Sequence, residues 1–408
     1  MQLQPIQSLV FNRSTRKNAF LMKNHAAFSR CILRRVVPAL FIITIATLSP
    51  ALWAKSCFVY FGTFTDASSL GIYVSRLDED TGKLSTPELA VAADSPNYLA
   101  ISPDNRFLFA AVRAAGDDPG SIASYAIDSK TGGLRRLCIG SSGGDGPCYV
   151  SDDSVDGCLL TANYAGGAIK SFHLNSDGTF TDGTVIQHHG TGPNPARQTG
   201  PHPHCFVPAP KGRFALACDL GTDKVMIYKV DPKTAALTAN DPPFAAIAPG
   251  SGPRHIAFSP NGKTACVLSE MACTVTVFDW NGKHGRLTER QSLSLLPPGQ
   301  YQDSFTAAEI EWRPDGRFVY ATVRGHNSIS VLAAKHRKLS LIQNLPCDGD
   351  FPRGMGIDPS GRWLVIGNQK SRTATVFAID KSTGMLKPTG QVLDAGISVD
   401  VKFAPIAD

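Results

Sequence analysis

The chain has 408 residues, is 43% hydrophobic and carries a formal charge of +6. The first 54 residues hold seven basic residues (Arg13, Arg16, Lys17, Lys23, Arg30, Arg34, Arg35) and no Asp or Glu; removing these seven from 40 leaves 33 basic against 34 acidic residues. A near-neutral remainder offers no basic patch, so nucleic acid is not an expected partner.

Residues 1–54 read as a leader. Arg34-Arg35 precede an apolar run at 36–48, followed by Pro50 and Ala51-Leu52-Trp53-Ala54. A positive segment, an apolar core and a terminal small residue form the pattern of a secretory signal peptide. Met22 is a second candidate start, which puts the signal at about residues 22–54. The apolar run is short of the ~20 residues of a membrane span. The expectation is therefore export, to a periplasmic or extracellular location, with no stable membrane insertion after the leader is cleaved.

From residue 55 onward one phrase recurs: Thr-Gly-Lys-Leu84, Thr-Gly-Gly-Leu134, Asp-Gly-Thr-Phe180, Thr-Ala-Ala-Leu237, His-Gly-Arg-Leu287, His-Arg-Lys-Leu339 and Thr-Gly-Met-Leu386. The gaps are 50, 46, 57, 50, 52 and 47 residues. A period of ~40–50 residues rich in strand signals matches one four-stranded propeller blade. The leading strand, Cys57 to Gly62, has no complete blade of its own and is expected to pair near 397–404 and close the ring. Within the repeats, turns of the Pro-x-Gly kind (Pro210-Lys-Gly212, Pro260-Asn-Gly262, Pro314-Asp-Gly316, Pro359-Ser-Gly361) separate alternating strands such as Val225-Met-Ile-Tyr228. Ser102-Pro-Asp-Asn105 is a variant, and Asp152-Asp153-Ser154 marks the least regular blade. No long segment of 3.6-residue period occurs. The fold class is all-β: a seven-bladed β-propeller of four-stranded antiparallel blades, spanning 55–408 as one domain.

Cys31 lies in the leader, leaving nine cysteines, and an odd count keeps at least one thiol free. Cys205, Cys218, Cys266 and Cys273 sit in or beside strand segments, where cysteine behaves as a small buried hydrophobe. Without a CxxC or zinc-like spacing, neither a metal site nor a cofactor is expected. His188-His189 reads as part of a solvated Gly/Pro-rich loop. There is no Gly-x-Ser-x-Gly elbow and no phosphate-cradling loop.

Charged residues recur at equivalent inter-strand positions. Arg254-His255 precedes a blade's first strand, and Glu270 ends the next strand, 16 residues on. Arg324 ends the corresponding strand one blade later, and Arg353 precedes the first strand of the last blade. His202 and His204 stand at the Arg254 position one blade earlier, with Asp219 and Asp223 near that of Glu270. Superposed blades would aim these side chains at one mouth of the channel. A histidine there takes a proton from water near neutral pH, and arginines hold a carboxylate or phosphate or stabilise an oxyanion. Asn163 and Gln369, at equivalent strand ends, complete the candidate substrate contacts.

The segments Tyr60-Phe-Gly-Thr-Phe-Thr65, Ala162-Asn-Tyr-Ala-Gly-Gly167, Arg197-Gln-Thr-Gly-Pro-His-Pro-His204, Asp219-Leu-Gly-Thr-Asp223, Gly252-Pro-Arg-His255, Glu309-Ile310, Arg324-Gly-His-Asn-Ser-Ile329 and Pro352-Arg353 occur in this order at blade spacing. In them the chain resembles the lactonase family of seven-bladed propellers, which includes the propeller type of 6-phosphogluconolactonase and the fungal carboxy-muconate lactonizing enzyme. The resemblance implies lactone ring chemistry without a metal. It puts the active-site histidine on His204, two arginines on Arg254 and Arg324, and the carboxylate on Glu270. One departure is Ser269, where the family usually has Asn.

The expected reaction is hydrolysis of a small-molecule sugar-acid lactone, 6-phosphogluconolactone or a related aldonolactone. In it Arg254 and Arg324 hold substrate oxygens, His204 activates water, and Glu270 orients Arg254 or relays a proton. His202, Asp219, Arg353, Asn163 and Gln369 are the expected substrate contacts. The alternatives are a muconate-type cycloisomerase and a noncatalytic exported ligand-binding propeller.

Overall fold

The computed structural model describes residues 55–113 and 119–406; the leader expected at 1–54 lies outside the described residues. Seven four-stranded antiparallel sheets follow one another along the chain. Blade 1 combines Ile397–Pro405 with Ser56–Phe64, Gly71–Asp78 and Glu88–Ala92. Blades 2 to 7 then occupy 98–141, 147–187, 203–246, 253–294, 306–346 and 352–394. The blade at 147–187 has the same four strands as the others, so Asp152-Asp153 does not make it less regular.

Ring closure is as the leading strand foretold. Ser56–Phe64 pairs with Ile397–Pro405 on one side and Gly71–Asp78 on the other. The first strands of the seven sheets pack against one another in sequence and back to the start, which makes them the wall of the central channel. Second strands such as Phe214–Asp219 are buried throughout, whereas outer strands such as Phe180–Gln187 alternate between partly and fully exposed.

The recurring phrase is a lock between neighbouring blades. Its third-to-fourth-strand turn presents a residue at positive φ: Gly82, Gly132, Gly178, Ala235, Gly285 and Gly384. Backbone carbonyls of these turns accept hydrogen bonds from buried hydroxyls one blade back: Tyr60 Oη to Gly132 O (2.9 Å), Ser124 Oγ to Gly178 O (2.5 Å), Ser171 Oγ to Ala235 O (2.5 Å) and Tyr320 Oη to Gly384 O (2.8 Å). The hydrophobe that closes the phrase is buried in five of the seven cases, at Leu84, Leu237, Leu287, Leu339 and Leu386. The phrase recurs because its copies satisfy buried hydroxyls of the preceding blade in four cases and bury their hydrophobe in five.

Seven of the nine described cysteines are buried, and all nine are free thiols. Among the described residues, no helix is long and apolar enough to cross a membrane.

Candidate active site

A backbone irregularity repeated around the ring builds the site. Near the start of the first strand, pairing to the second strand slips between Pro147 and Tyr149, Pro203 and Cys205, Pro253 and His255, and Pro352 and Gly354. The residue that the ladder skips is Cys148, His204, Arg254 or Arg353. Proline has no N–H to give, so one ladder bond is already absent and the bulge costs little more. A β-bulge takes its residue out of the in–out alternation and re-aims the side chain. Four blades therefore deliver four side chains to the same level of the channel.

Glu270 is the hub of the cluster. Its Oε2 lies 3.0 Å from Arg254 Nε and 2.9 Å from Arg324 Nη2, and its Oε1 accepts a 2.6 Å hydrogen bond from Arg197 Nη2. The Arg254 Nε–H is not directed at the carboxylate, so that contact is an ion pair without a well-aligned hydrogen bond. Arg254 Nη1 also donates to Ala308 O, and Arg324 Nη2 donates to Ala307 O (3.2 Å). Glu270, Arg254 and Arg324 are all buried. Burial opposes ionisation of Glu270, but the guanidinium groups of Arg324 and Arg254 outweigh it and hold the carboxyl far below its ordinary range. A carboxylate so placed stays ionised at neutral pH and is suited to hold the arginines in place.

Arg353 differs from the other three arginines. Among the described residues it has no ion pair; its charge sits 5.2 Å from the centroid of the Phe64 ring. Burial, and then repulsion from Arg254 and Arg324, push it down to about 9. His204 is buried, and its ring packs edge-on against Tyr164 (5.5 Å) and His255 (5.2 Å). Burial and the nearby Arg254 drive it well below the usual imidazole value, so it is neutral at pH 7. His255 is depressed in the same way, and its Nδ1 is 2.8 Å from Glu309 Oε1. It also borders a channel cavity of about 430 Å³ lined by Tyr98, Tyr149, Glu309, Glu311 and Lys402.

The sequence-derived set divides. His204, Arg254, Glu270, Arg324 and Arg353 come together. His202 stands beside them, stacked on Tyr164 at 4.5 Å with its Nδ1 2.8 Å from Tyr164 O. Gln369 reaches the cluster indirectly, its N–H donating to the carbonyl of Phe351, whose ring lies 5.2 Å from the Arg324 guanidinium. Asp219 and Asn163 are enclosed side chains that tie loops. Asp219 is 1% exposed, with Oδ2 2.7 Å from His188 Nδ1 and Oδ1 accepting from the N–H groups of His202 and Gly221. Asn163 is 0% exposed and donates to Ser142 O (2.9 Å). Both side chains hold loops around the mouth, and Asn163 Oδ1 keeps no hydrogen-bond partner among the described residues. His188 is likewise buried, not solvated; its Nε2 meets Tyr228 Oη at 2.9 Å. Asp223 accepts from the N–H groups of Gly250 (2.7 Å) and Gly252 (2.8 Å) and so fixes the approach to Arg254.

Sequence reasoning passed over Arg197, Tyr164 and Cys148. Arg197 and Tyr164 lie inside quoted family segments, and Arg197 Nη2 also reaches Tyr164 Oη at 3.2 Å. Cys148 carried a signal in the proline before it, matching Pro203, Pro253 and Pro352. Phe351 is a further omission. It holds φ 65°, unusual for an aromatic residue, with its N–H on Asn327 Oδ1 (3.0 Å) and its ring between Arg324 and Lys370.

The fold and the cluster together are those of a closed seven-bladed propeller with a histidine and an arginine–glutamate group at one level of its channel. The chain belongs to the lactonase family: the family model described as Lactonase, 7-bladed beta-propeller matches residues 58–403. It is 35% identical over 347 residues to the 6-phosphogluconolactonase of Bacillus subtilis, covering 84% of this chain and 97% of that one. It is 28% identical over 351 residues to a 6-phosphogluconolactonase of Formosa agariphila, covering 82% and 96%. The solved periplasmic gluconolactonase of Pseudomonas aeruginosa superposes with a TM-score of 0.81 at 31% identity, covering 86% of this chain and all of that one. The protein is a lactonase, an enzyme that acts on a lactone substrate.

Proposed function

We propose that the enzyme hydrolyses the lactone of a sugar acid, gluconolactone or its 6-phosphate, to the open-chain acid, using its own side chains and no metal. The observation that carries this reading is that the same bulge brings a buried His204 and Arg353 to one level of the channel, Arg353 being the one cluster arginine without a carboxylate partner among the described residues. Neutral His204 takes a proton from water as the water oxygen bonds to the lactone carbonyl carbon. The negative charge that develops on the carbonyl oxygen is met by Arg353, backed by Arg254 and Arg324. The ring C–O bond then breaks, and the proton on His204 passes to the departing ring oxygen. Glu270 keeps Arg254 and Arg324 in place throughout.

We also propose that the segment at about 22–54 exports the propeller, a reading supported by the periplasmic relative. Export favours an unphosphorylated aldonolactone over a cytosolic phosphorylated one.

The test is hydrolysis of both lactones by the purified protein, corrected for spontaneous opening, with and without EDTA. Turnover is expected on at least one, unchanged by the chelator and lost in His204→Ala. Because the His204 imidazole titrates well below 6.5, kcat/KM should stay flat down through pH 6.5, with its acid limb below that value. Full turnover in His204→Ala would sink the mechanism. No turnover on either lactone, with cyclisation of a muconate-type diacid, would move the assignment to a cycloisomerase.

A further inference from the structure

We infer that Cys148 is a positioning residue that fixes the tautomer of His204, holding the Nδ1–H form and leaving the Nε2 lone pair free to act as the base. The inference rests on the proposed role of His204. Cys148 occupies in blade 3 the bulge position that His204, Arg254 and Arg353 occupy in blades 4, 5 and 7. It therefore belongs to the cluster by construction of the backbone, although its side chain carries no charge.

The sulfur is the only side-chain atom within hydrogen-bonding reach of the His204 ring among the described residues, at 3.9 Å from Nδ1. Around the same sulfur stand three carbonyl oxygens: His204 O at 3.4 Å, and Pro203 O and Ala162 O at 3.8 Å each. The thiol has one proton to give, and His204 O at 3.4 Å is a nearer acceptor than Nδ1 at 3.9 Å, so the proton goes to the carbonyl. Sulfur is then left with lone pairs, and the partner that matches a lone pair is an N–H. That assigns the imidazole proton to Nδ1. Burial pushes the thiol up to about 12, so it keeps its proton and this pattern across the working pH range.

The other groups facing His204 do not compete for Nδ1. Among the described residues neither Arg254 nor Arg353 makes a hydrogen bond to the His204 ring, Glu270 is taken by three arginines, and His255 is engaged by Glu309. A sulfur contact of 3.9 Å is weak, but selecting between two tautomers of similar energy takes only about 1.4 kcal/mol per factor of ten. A wrong tautomer presents N–H, not a lone pair, to water and stops base catalysis.

The experiment is ¹H–¹⁵N correlation spectroscopy of ¹⁵N-histidine protein, with the His204 signals identified by their loss in His204→Gln. It is run on wild type, Cys148→Ala and Cys148→Ser. The expected result is the Nδ1–H tautomer in wild type, a mixture or the Nε2–H form in Cys148→Ala, and the wild-type form in Cys148→Ser, whose hydroxyl keeps both a donor and a lone pair. On whichever lactone is turned over, Cys148→Ala should lose kcat by about tenfold with KM little changed, and Cys148→Ser should recover most of it. An Nε2–H tautomer in wild type, or an Nδ1–H tautomer that persists in Cys148→Ala, overturns the inference. The spectra decide this without substrate, so absence of lactonase activity would count against the proposed reaction and not against the tautomer.

Discussion

Glu270 and Arg353 sit in one cluster and carry opposite stability signatures. Glu270 neutralises a group of buried cations; removing its charge strands Arg254 and Arg324 in a desolvated site. Breaking a buried pair in this way costs about 3–5 kcal/mol, so Glu270→Gln should lower Tm by several degrees and abolish turnover together. Among the described residues Arg353 has no carboxylate partner, and it is repelled by Arg254 and Arg324. Arg353→Ala should therefore unfold at no lower temperature than wild type while kcat falls by about a hundredfold, the scale of one lost oxyanion donor. Thermal unfolding of both variants beside their kinetics checks the pair. Arg353→Ala with intact kcat would show that this charge does not meet the transition state, and an unchanged Tm in Glu270→Gln would remove its role as the hub.

Strands and turns determine which of these residues the sequence revealed. The Pro-x-Gly turns were legible because Gly212, Gly262, Gly316 and Gly361 all sit at positive φ, and each closes an i to i+3 hydrogen bond behind proline. The turn between second and third strands is equally regular in space but not in letters. Its left-handed residue is Gly167, Asp223, Cys273, Asn327 or Arg372. Its carbonyl accepts in turn from the N–H of His188, Ile247, Leu295, Cys347 or Ala395. Only Gly, Asn and Asp announce that conformation, so the repeat was invisible at Cys273 and Arg372. The charged cluster was legible at His204, Arg254, Glu270, Arg324 and Arg353. At Asp219 and Asn163 the letters were ambiguous, because a polar residue at a strand end looks the same whether it faces a ligand or ties a loop. Asp223 shows the second use in isolation, bonding two N–H groups ahead of Arg254. Asp223→Ala should cost about 1–3 kcal/mol for two abandoned donors and lower kcat as the Arg254 bulge loosens. Asp223→Asn keeps an acceptor and tolerates the left-handed backbone, and should recover most of both. Equal Tm values for the alanine variant and wild type would show that the turn stands without this cap.

Across the whole molecule the channel is electrically two-sided. The cluster level carries four arginines around Glu270, while the cavity beside it is lined by Glu309 and Glu311 with Lys402 between acids. Burial raises the carboxyls there above their ordinary range. Glu311 is pushed up to about 8, and Asp152, in the same cavity, to about 7 by burial and then the neighbouring Asp153. Glu311 also accepts the Ile357 N–H at 3.0 Å. A folded-state pKa above the unfolded value means that the native state binds more protons, so the contribution to stability is complete below about 4.5 and is lost as pH rises through 8. Histidines 204 and 255 work in the other direction, losing stability as pH falls below 6.5. The fold is thus strained at alkaline pH from the cavity and at acid pH from the cluster. Glu311→Gln mimics the protonated acid and can still accept from Ile357, which separates the two ends. Its Tm should match wild type near pH 4.5 and exceed it by about 2 °C or more at pH 8.5, with the acid side of the stability curve unmoved. A Tm gap of the same size at both pH values would mean that Glu311 acts through packing, and the alkaline strain would have to be traced to Asp152 and Asp153 instead.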